Sequence, residues 1–350
     1  METKIIRIED GEYNKELLRL PAEALAEGRT VAFPTETVYG IGANALDESA
    51  IKKIYKAKGR PSDNPLIVHV TDMESVEALV EEVTPVAEKL MAAFWPGPLT
   101  IIFKKSIAVP VSVTAGLSTV AIRMPSHPIA RDLIEQSGVP VAAPSANLSG
   151  KPSPTSGEHV IEDLNGRVDY IVVGDQTDVG LESTVVDATG EVAMILRPGG
   201  VTKEALEAVV GEVCVDPAIE ASSMDKLTPK SPGMKYTHYA PEAEVLMVQG
   251  EEAPMVEMIQ NMCHRFVTSG KRVGIMTCDE HVADYDCGVV LSLGSKDNME
   301  AVAQQLFGTL RKFDEHSVDI ILAESYDEKG LGSAVMNRLR KAAGHQIIEV

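Results

Sequence analysis

This chain shows two different patterns of apolar and polar positions, one in each part of the sequence. Up to about residue 210, short β-rich runs outnumber the amphipathic helical patterns. The predicted strands are Lys4–Ile8, Thr30–Phe33, Leu66–Val70, Leu99–Phe103, Thr119–Arg123, Val139–Ala142, Tyr170–Val173, Ser183–Asp187 and Met194–Leu196. Helices are predicted near 14–27, 50–56, 75–80, 86–94, 128–136 and 203–209. So many strands between so few helices favour a mixed α/β sheet over a purely doubly wound one.

In the second pattern, from residue 242 onward, predicted strands alternate with predicted helices. Strands are predicted at Val245–Val248, Val273–Met276, Val289–Leu291 and Ile320–Ala323, and helices at Pro254–Val267, Met299–Phe313 and Ala334–Ala342. This alternation is typical of a small parallel α/β domain. The stretch between the two parts carries four prolines and little periodicity, which is typical of a linker. The predicted organisation is residues 1–215, a linker at 216–241, and a smaller domain at 242–350.

Composition fits this division. The chain has 350 residues, of which 44% are hydrophobic, enough for more than one core. Its apolar stretches are far shorter than the roughly 20 residues that cross a bilayer, and its start lacks the apolar centre of a signal peptide. We therefore expect a cytoplasmic protein with no membrane segment. A net charge of −20 would repel nucleic acid, so an anionic ligand needs a local basic site.

The cysteines give a prediction of their own. Cys214, Cys263, Cys278 and Cys287 form no C-x-x-C pair, and no histidine stands at a spacing familiar from zinc sites. We expect buried thiols, with no disulfide framework and no structural metal.

The densest positive charge lies in IKKIYKAKGR, residues 51–60, which carries five basic residues and no acidic one. A helix up to Lys56 would leave Lys52, Lys53 and Lys56 as a solvated face. Gly59 and Pro61 then form a rigid turn that fixes the directions of Lys58 and Arg60. Two cations held in this way suit a triphosphate.

Two polar loops follow apolar strands, at the position where α/β folds place ligands. They are PTETVYGIG (34–42) and AAPSANLSGKPSPT (142–155), and each alone could be an ordinary turn. Single polar residues also interrupt apolar strands: His69, Arg123 and Arg197. A histidine of this kind is commonly a satisfied core residue, whereas a buried arginine needs an anion, either a protein carboxylate or a ligand.

Seven motifs in order resemble a known family: PTETVYGIG, KAKGRPSDNPLIVH, FWPGPLT, TAGLSTVAIRMPSHP, AAPSANLSGKPSPT, ESTVVD and LRPGG. They resemble the YrdC-like domain of threonylcarbamoyl-AMP synthases. The later SPGMKYTHYAP and the small α/β segment resemble the long form of that family. The resemblance implies a twisted mixed sheet with a concave cleft, a linker that closes over the active site, and a Rossmann-like C-terminal domain.

The same resemblance implies the site residues. Those around L-threonine would be Thr37, His69, Arg123 and Ser183, with Ala143 lining the pocket. Those around ATP would be Arg60, Asn64, Thr119, Ser145, Asn147, Ser153 and Arg197, with Tyr236 of the linker covering the nucleotide. Lys58 and Arg60 would be the catalytic cations. Thr237 follows Tyr236 where the family leads us to expect a basic residue, a departure that concerns a linker contact to phosphate.

The implied reaction joins L-threonine, bicarbonate and ATP, with Mg²⁺ accompanying the nucleotide, and it expels pyrophosphate. The threonylcarbamoyl-AMP formed would pass to a tRNA threonylcarbamoyl transferase. The absence of a convincing Ser/His/Asp or Cys/His arrangement agrees with a reaction that needs no protein nucleophile.

Three alternatives remain open from the sequence. A double-stranded RNA-binding module is one, although the net negative charge opposes it. A carbamoyl transferase of the hydrogenase-maturation type is another, although such proteins carry cysteine-rich zinc fingers that this chain lacks. The third concerns residues 242–350 alone, which show no glycine-rich phosphate motif and nothing like a catalytic cluster, and which favour a structural role.

Overall fold

A computed structural model of the chain describes residues 1–8, 13–219 and 238–350. The chain divides into two compact units, one within residues 1–236 and one within residues 237–350, with 150–152 grouped with the second. The predicted linker at 216–241 lies largely outside the described residues, so its boundaries stay a prediction. No helix in the described ranges has the length and apolar character needed to cross a membrane.

The first unit is built on one mixed sheet of eleven strands, in the order β1-β8-β2-β3-β7-β4-β6-β5-β9-β10-β11. The strands are β1 (Lys4–Arg7), β2 (Val31–Phe33), β3 (Gly40–Asn44), β4 (Ile67–His69), β5 (Leu99–Lys104), β6 (Thr119–Arg123), β7 (Val141–Ala142), β8 (Tyr170–Val173), β9 (Thr184–Asp187), β10 (Ala193–Arg197) and β11 (Val213–Val215). Parallel and antiparallel neighbours alternate through its centre: β4 is parallel to β6 and antiparallel to β7, and β5 is antiparallel to β6 and parallel to β9.

The helices that cover this sheet are α1 (Arg19–Ala26), α2 (Glu48–Lys58), α3 (Met73–Leu79), α4 (Pro85–Phe94), α5 (Val111–Thr114), α6 (Pro128–Ser137), α7 (Gly157–Leu164) and α8 (Lys203–Val210). Their ends follow local chemistry. The Asp47 carboxylate accepts a hydrogen bond from the backbone N–H of Ser49 and begins α2, and Gly59 ends it with a φ of 62°. As expected, Lys52, Lys53 and Lys56 are exposed.

The second unit is a purely parallel sheet of five strands, in the order β14-β13-β15-β12-β16. Its elements are β12 (Glu244–Gln249), α9 (Glu252–Thr268), β13 (Val273–Thr277), a 3₁₀ turn (Asp279–Asp284), β14 (Val289–Ser292), α10 (Met299–Glu315), β15 (Ile320–Glu324), α11 (Gly332–Ala342) and β16 (Ile347–Glu349). The predicted fold class, a mixed sheet followed by a smaller parallel α/β domain, is confirmed.

Two local predictions are wrong. The segment 34–42 is not a loop throughout, because Gly40–Asn44 forms β3. This strand pairs with β2 on one side and with β7 on the other. Cys263 and Cys287 are joined in a disulfide rather than present as separate thiols. They meet because α9 packs against β13, whose partner β14 begins two residues after Cys287. Of the free cysteines, Cys214 is exposed and Cys278 is buried.

Candidate active site

A row of buried polar side chains crosses the centre of the first sheet. Strand register aligns His69 on β4 with Arg123 on β6, and Arg123 with Thr100 on β5. Residues in register on adjacent strands present their side chains to the same face. All three side chains are buried among apolar strands, so the sheet itself fixes their spacing.

Arg123 is the centre of this row. One guanidinium nitrogen, Nη1, donates to the Thr37 hydroxyl at 2.8 Å, and Nε donates to the Gly97 carbonyl at 3.3 Å. The other nitrogen, Nη2, lies 2.7 Å from a carboxylate oxygen of Glu36, an ion pair without the alignment of a hydrogen bond. The second carboxylate oxygen of Glu36 is buried and accepts no hydrogen bond. The pair is thus electrically neutral but keeps unused hydrogen-bonding capacity.

The electrostatics of the row follow from burial. Burial alone would raise the pKa of Glu36, but the charge of Arg123 and the hydrogen bonds to the carboxylate outweigh it and hold that pKa below its usual value. Burial, and then the nearby charge of Arg123, lower the pKa of His69 to about 3. His69 is therefore a neutral imidazole at physiological pH. Its Nδ1 is buried and has no hydrogen-bond partner.

Ser183 lies beside the row, immediately before β9. Its hydroxyl is 2.7 Å from the Thr100 hydroxyl, and its carbonyl accepts hydrogen bonds from Nε and Nη2 of Arg197. Gly199 allows this close packing, because a Cβ there would lie 2.4 Å from the Glu182 carbonyl oxygen. Thr37, His69, Arg123 and Ser183 are therefore brought together, and Arg197 holds the backbone that carries Ser183.

The predicted cation Lys58 points to a loop of the protein. Its ammonium donates to the carbonyl oxygens of Ser145 and Asn147, the latter at 2.6 Å. The Ser145 hydroxyl in turn donates to the side-chain oxygen of Asn147 at 2.6 Å. Lys58 is buried, and these contacts give it a role in shaping the 145–147 loop. Ala143 lies two residues before this loop and is buried beside β4, where its backbone N–H donates to the Ile67 carbonyl.

Asn64 has the least satisfied side chain of the predicted nucleotide set. It is only 1% exposed, yet neither its amide oxygen nor its amide nitrogen has a hydrogen-bond partner. A buried amide without partners costs about 1–3 kcal/mol, so this position is typical of a site completed by a ligand. Arg60, half-buried, donates to the Pro65 carbonyl at 3.1 Å and so packs over the same turn.

Thr119 lies at the opposite end of β6 from Arg123, roughly 13 Å away at the usual rise of a strand. It lines a small pocket together with Pro65, Leu66, Thr114 and Leu117. Ser153 is buried and donates to the Glu182 carboxylate. Tyr236, predicted to cover the nucleotide, lies outside the described residues. The predicted ATP residues are thus spread out, from Arg197 and Ser153 close to Ser183 to Thr119 at the far end of β6.

Glu36 and Thr100 were not among the predicted site residues. The signal for Glu36 was present, since a buried arginine requires an anion and the polar loop 34–42 holds a single carboxylate. Thr100 gave only a weak signal, as one hydroxyl in an apolar strand.

Two family models match this chain. A family model of the Sua5, YciO and YrdC proteins, described as telomere recombination, matches residues 23–199. A second model, described as threonylcarbamoyl-AMP synthase, C-terminal domain, matches residues 201–344.

Individual relatives match nearly the whole chain. The threonylcarbamoyl-AMP synthase of Pyrococcus abyssi is 52% identical over 95% of this chain and 96% of its own length, and that of Bacillus subtilis is 52% identical over 93% of both. The crystal structure of P. abyssi Sua5 complexed with L-threonine superposes with a TM-score of 0.94 at 50% identity, covering 99% of this chain and 100% of the other. This chain belongs to the threonylcarbamoyl-AMP synthase family, in the form that carries the family's C-terminal domain.

Proposed function

We propose that the first unit condenses L-threonine, bicarbonate and ATP into threonylcarbamoyl-AMP and pyrophosphate at the Arg123 row. The observation that carries the proposal is the unused hydrogen-bonding capacity of this buried row, on the Nδ1 of His69 and one oxygen of Glu36. An amino acid supplies complementary groups. The similar P. abyssi protein has been crystallised with L-threonine, which supports the same ligand here.

In this proposal each group of the row meets one group of threonine. Arg123 pairs with the threonine carboxylate, and the open oxygen of Glu36 accepts an N–H of the amino group. His69, as a neutral ring, bonds the threonine hydroxyl through Nδ1. Ala143 lines the space for the methyl group, and a single methyl contact discriminates between amino acids by about 1–3 kcal/mol.

Two bond-forming steps follow, and neither needs a protein nucleophile. The threonine amine adds to carbon dioxide derived from bicarbonate, forming a carbamate and losing a proton. A carbamate oxygen then attacks the α-phosphorus of ATP, and pyrophosphate leaves. The protein aligns the reactants, offsets charge and excludes water, because the carbamate and the mixed anhydride both hydrolyse readily.

The ATP, with its accompanying Mg²⁺, would lie against Arg60, Asn64 and the 145–147 loop. Thr119, which lies near Pro65 at the end of β6 remote from Arg123, would contact the base. Among the described residues, the buried carboxylates near the site already have partners in the protein: Glu36 pairs with Arg123 through one oxygen, Glu182 accepts from Ser153, and Asp163 accepts from the Leu148 N–H. Mg²⁺ would therefore be held by phosphate oxygens and water.

Because the product is a reactive anhydride, we propose that it is consumed by a tRNA threonylcarbamoyl transferase soon after release. The exposed surface of this acidic chain offers little attraction to RNA, which favours delivery of the small product over direct tRNA binding.

The function is tested by measuring pyrophosphate release from ATP with purified full-length chain, Mg²⁺ and bicarbonate. We expect release to require L-threonine and to be slower with L-serine, which lacks the methyl group beside Ala143. Omission of bicarbonate should stop it. Release that ignores the amino acid, or none from folded protein, would contradict the proposed reaction.

Arg123 should be required for use of threonine. Arg123→Met alone would leave Glu36 as a buried unpaired charge, so the informative variant is Arg123→Met combined with Glu36→Gln. We expect kcat/KM for threonine to fall by an amount equivalent to about 2–5 kcal/mol, while ATP binding by calorimetry is retained. Urea unfolding of the double variant beside the wild type is the control for stability, because Glu36→Gln alone would leave Arg123 as a buried unpaired charge. Unchanged threonine kinetics in the double variant would remove Arg123 from the site.

Asn64 should contribute to nucleotide binding and little to folding. Its amide makes no hydrogen bond in the structure, so Asn64→Leu should leave the urea-unfolding free energy unchanged or raise it by up to about 1–3 kcal/mol, and should raise the KM for ATP roughly ten-fold or more. Asn298→Ala is the matched control, because Asn298 caps α10 by accepting from the Ala301 N–H. It should cost about 1 kcal/mol of stability and leave the ATP kinetics alone. The reverse pattern would assign Asn64 to the fold.

His69 should make stability depend on pH. Its pKa is about 3 when folded and about 6.5 when unfolded, so below pH 6.5 the unfolded chain binds the extra proton and stability falls as pH falls. At pH 5 this contribution is a loss of about 2 kcal/mol relative to pH 8. His69→Gln should remove that part of the decline, measured by urea unfolding at both pH values. Equal declines in the two proteins would show that His69 can accept a proton in the fold.

A further inference from the structure

The C-terminal unit contains a second buried polar cluster, separate in sequence from every residue used above. It consists of Cys278, His281 and Glu324, each at most 5% exposed as a whole residue. Their potential ligand atoms all lie within 4.8 Å of one another. The cluster is not evident from the sequence, because Glu324 is distant in the chain and reaches the other two residues only through the fold.

The cluster lies where an open parallel sheet usually binds ligands. Cys278 directly follows β13, and Glu324 is the last residue of β15, the strand beside it. From β13 the chain proceeds to β14 on one side, whereas from β15 it proceeds to β16 on the other. The carboxyl ends of β13 and β15 therefore flank the topological switch point of the sheet.

The distances suit a metal ion. Cys278 Sγ is 3.3 Å from His281 Nδ1, and that nitrogen is 3.1 Å from both carboxylate oxygens of Glu324. A tetrahedral zinc ion, with ligand distances of roughly 2.0–2.3 Å, sets its ligand atoms about 3.3–3.6 Å apart. A small outward movement of three side chains would complete such a site. Sulfur, nitrogen and oxygen donors together are typical of zinc among the common divalent cations.

A second shell of contacts is already present. The other ring nitrogen of His281, Nε2, lies 2.8 Å from a carboxylate oxygen of Glu252. This carboxylate–histidine arrangement is the one that orients metal-ligating histidines. Lys296 holds the same Glu252 at 2.7 Å.

Glu324 is likewise oriented by its surroundings. Its carboxylate accepts hydrogen bonds from the hydroxyls of Thr277, at 2.6 Å, and Tyr285, at 2.5 Å. Another polar group at this strand end is unsatisfied, because the buried hydroxyl oxygen of Tyr326 has no hydrogen-bond partner. A buried hydroxyl without a partner calls for an explanation, and a water molecule bound to an ion at this strand end would supply one.

We propose that Cys278, His281 and Glu324 form a binding site for a zinc-class divalent cation in the C-terminal unit. His281 binds through Nδ1 and is oriented by Glu252, and Cys278 binds as the thiolate. The fourth position is left to water or an exogenous ligand. The site lies entirely within the second unit and does not depend on the synthase reaction.

The test uses the full chain without an affinity tag, freed of metal by chelator and gel filtration, with neither ATP nor Mg²⁺ present. Zn²⁺ is titrated in competition with a chromogenic chelator, and Co²⁺ is added separately to record thiolate-to-cobalt charge-transfer absorption. We expect one tight Zn²⁺ per chain and a charge-transfer band. Cys278→Ser and His281→Gln should each weaken Zn²⁺ binding by roughly 100-fold or more, and Glu252→Gln by roughly 10- to 100-fold.

Two matched controls lie outside the cluster. His264→Gln changes an exposed histidine of the same unit, and Cys214→Ser changes the exposed free cysteine; both should bind Zn²⁺ like the wild type. Should Cys278→Ser fail to fold by circular dichroism, the wild-type cobalt spectrum and His281→Gln decide. Absence of tight Zn²⁺ binding by the wild type, a cobalt complex without the thiolate band, or loss of binding in His264→Gln would overturn the proposal.

Discussion

The first unit depends on a buried ion pair between Arg123, the last residue of β6, and Glu36, which lies between β2 and β3. Removing two charges from water costs several kcal/mol for each, and their mutual attraction repays this only when further hydrogen bonds complete the arrangement. Here Thr37, Gly97 and Ser126 supply part of what is needed. One oxygen of Glu36 and one nitrogen of Arg123 still lack a hydrogen-bond partner. A zwitterionic amino acid would complete the network.

The central strands and part of the site can be predicted from the sequence. Alternation and apolar runs predict the central strands within a residue or two, because those strands are buried on a fixed face. Polar residues within them, such as His69 and Arg123, signal a site, since burial of a polar group requires a reason. The strand Gly40–Asn44 escaped prediction because glycines and a preceding polar turn are typical of loops, although here Gly42 allows close contact with Val141 and Phe33.

The sequence does not show which residues that are distant in the chain become neighbours in the fold. The partner of Arg123, the bond between Thr100 and Ser183, and the meeting of Cys263 with Cys287 all depend on which strands and helices become neighbours. The same applies in the second unit, where Cys278 and His281 are three residues apart but acquire Glu324 only because β13 and β15 are adjacent. The side chains of one segment indicate which chemistry is possible. The order of the strands in the sheet decides whether the residues of the site come together.

The register of the central strands also bears on how such a protein can diverge. Enzymes whose binding groups lie on loops acquire new preferences by altering loops, with little effect on the core. In this chain His69, Thr100 and Arg123 belong to the hydrogen-bonded ladder itself. A lineage that exchanged them to accept another amino acid would disturb the centre of its own sheet, so selection on folding also restrains drift in substrate choice.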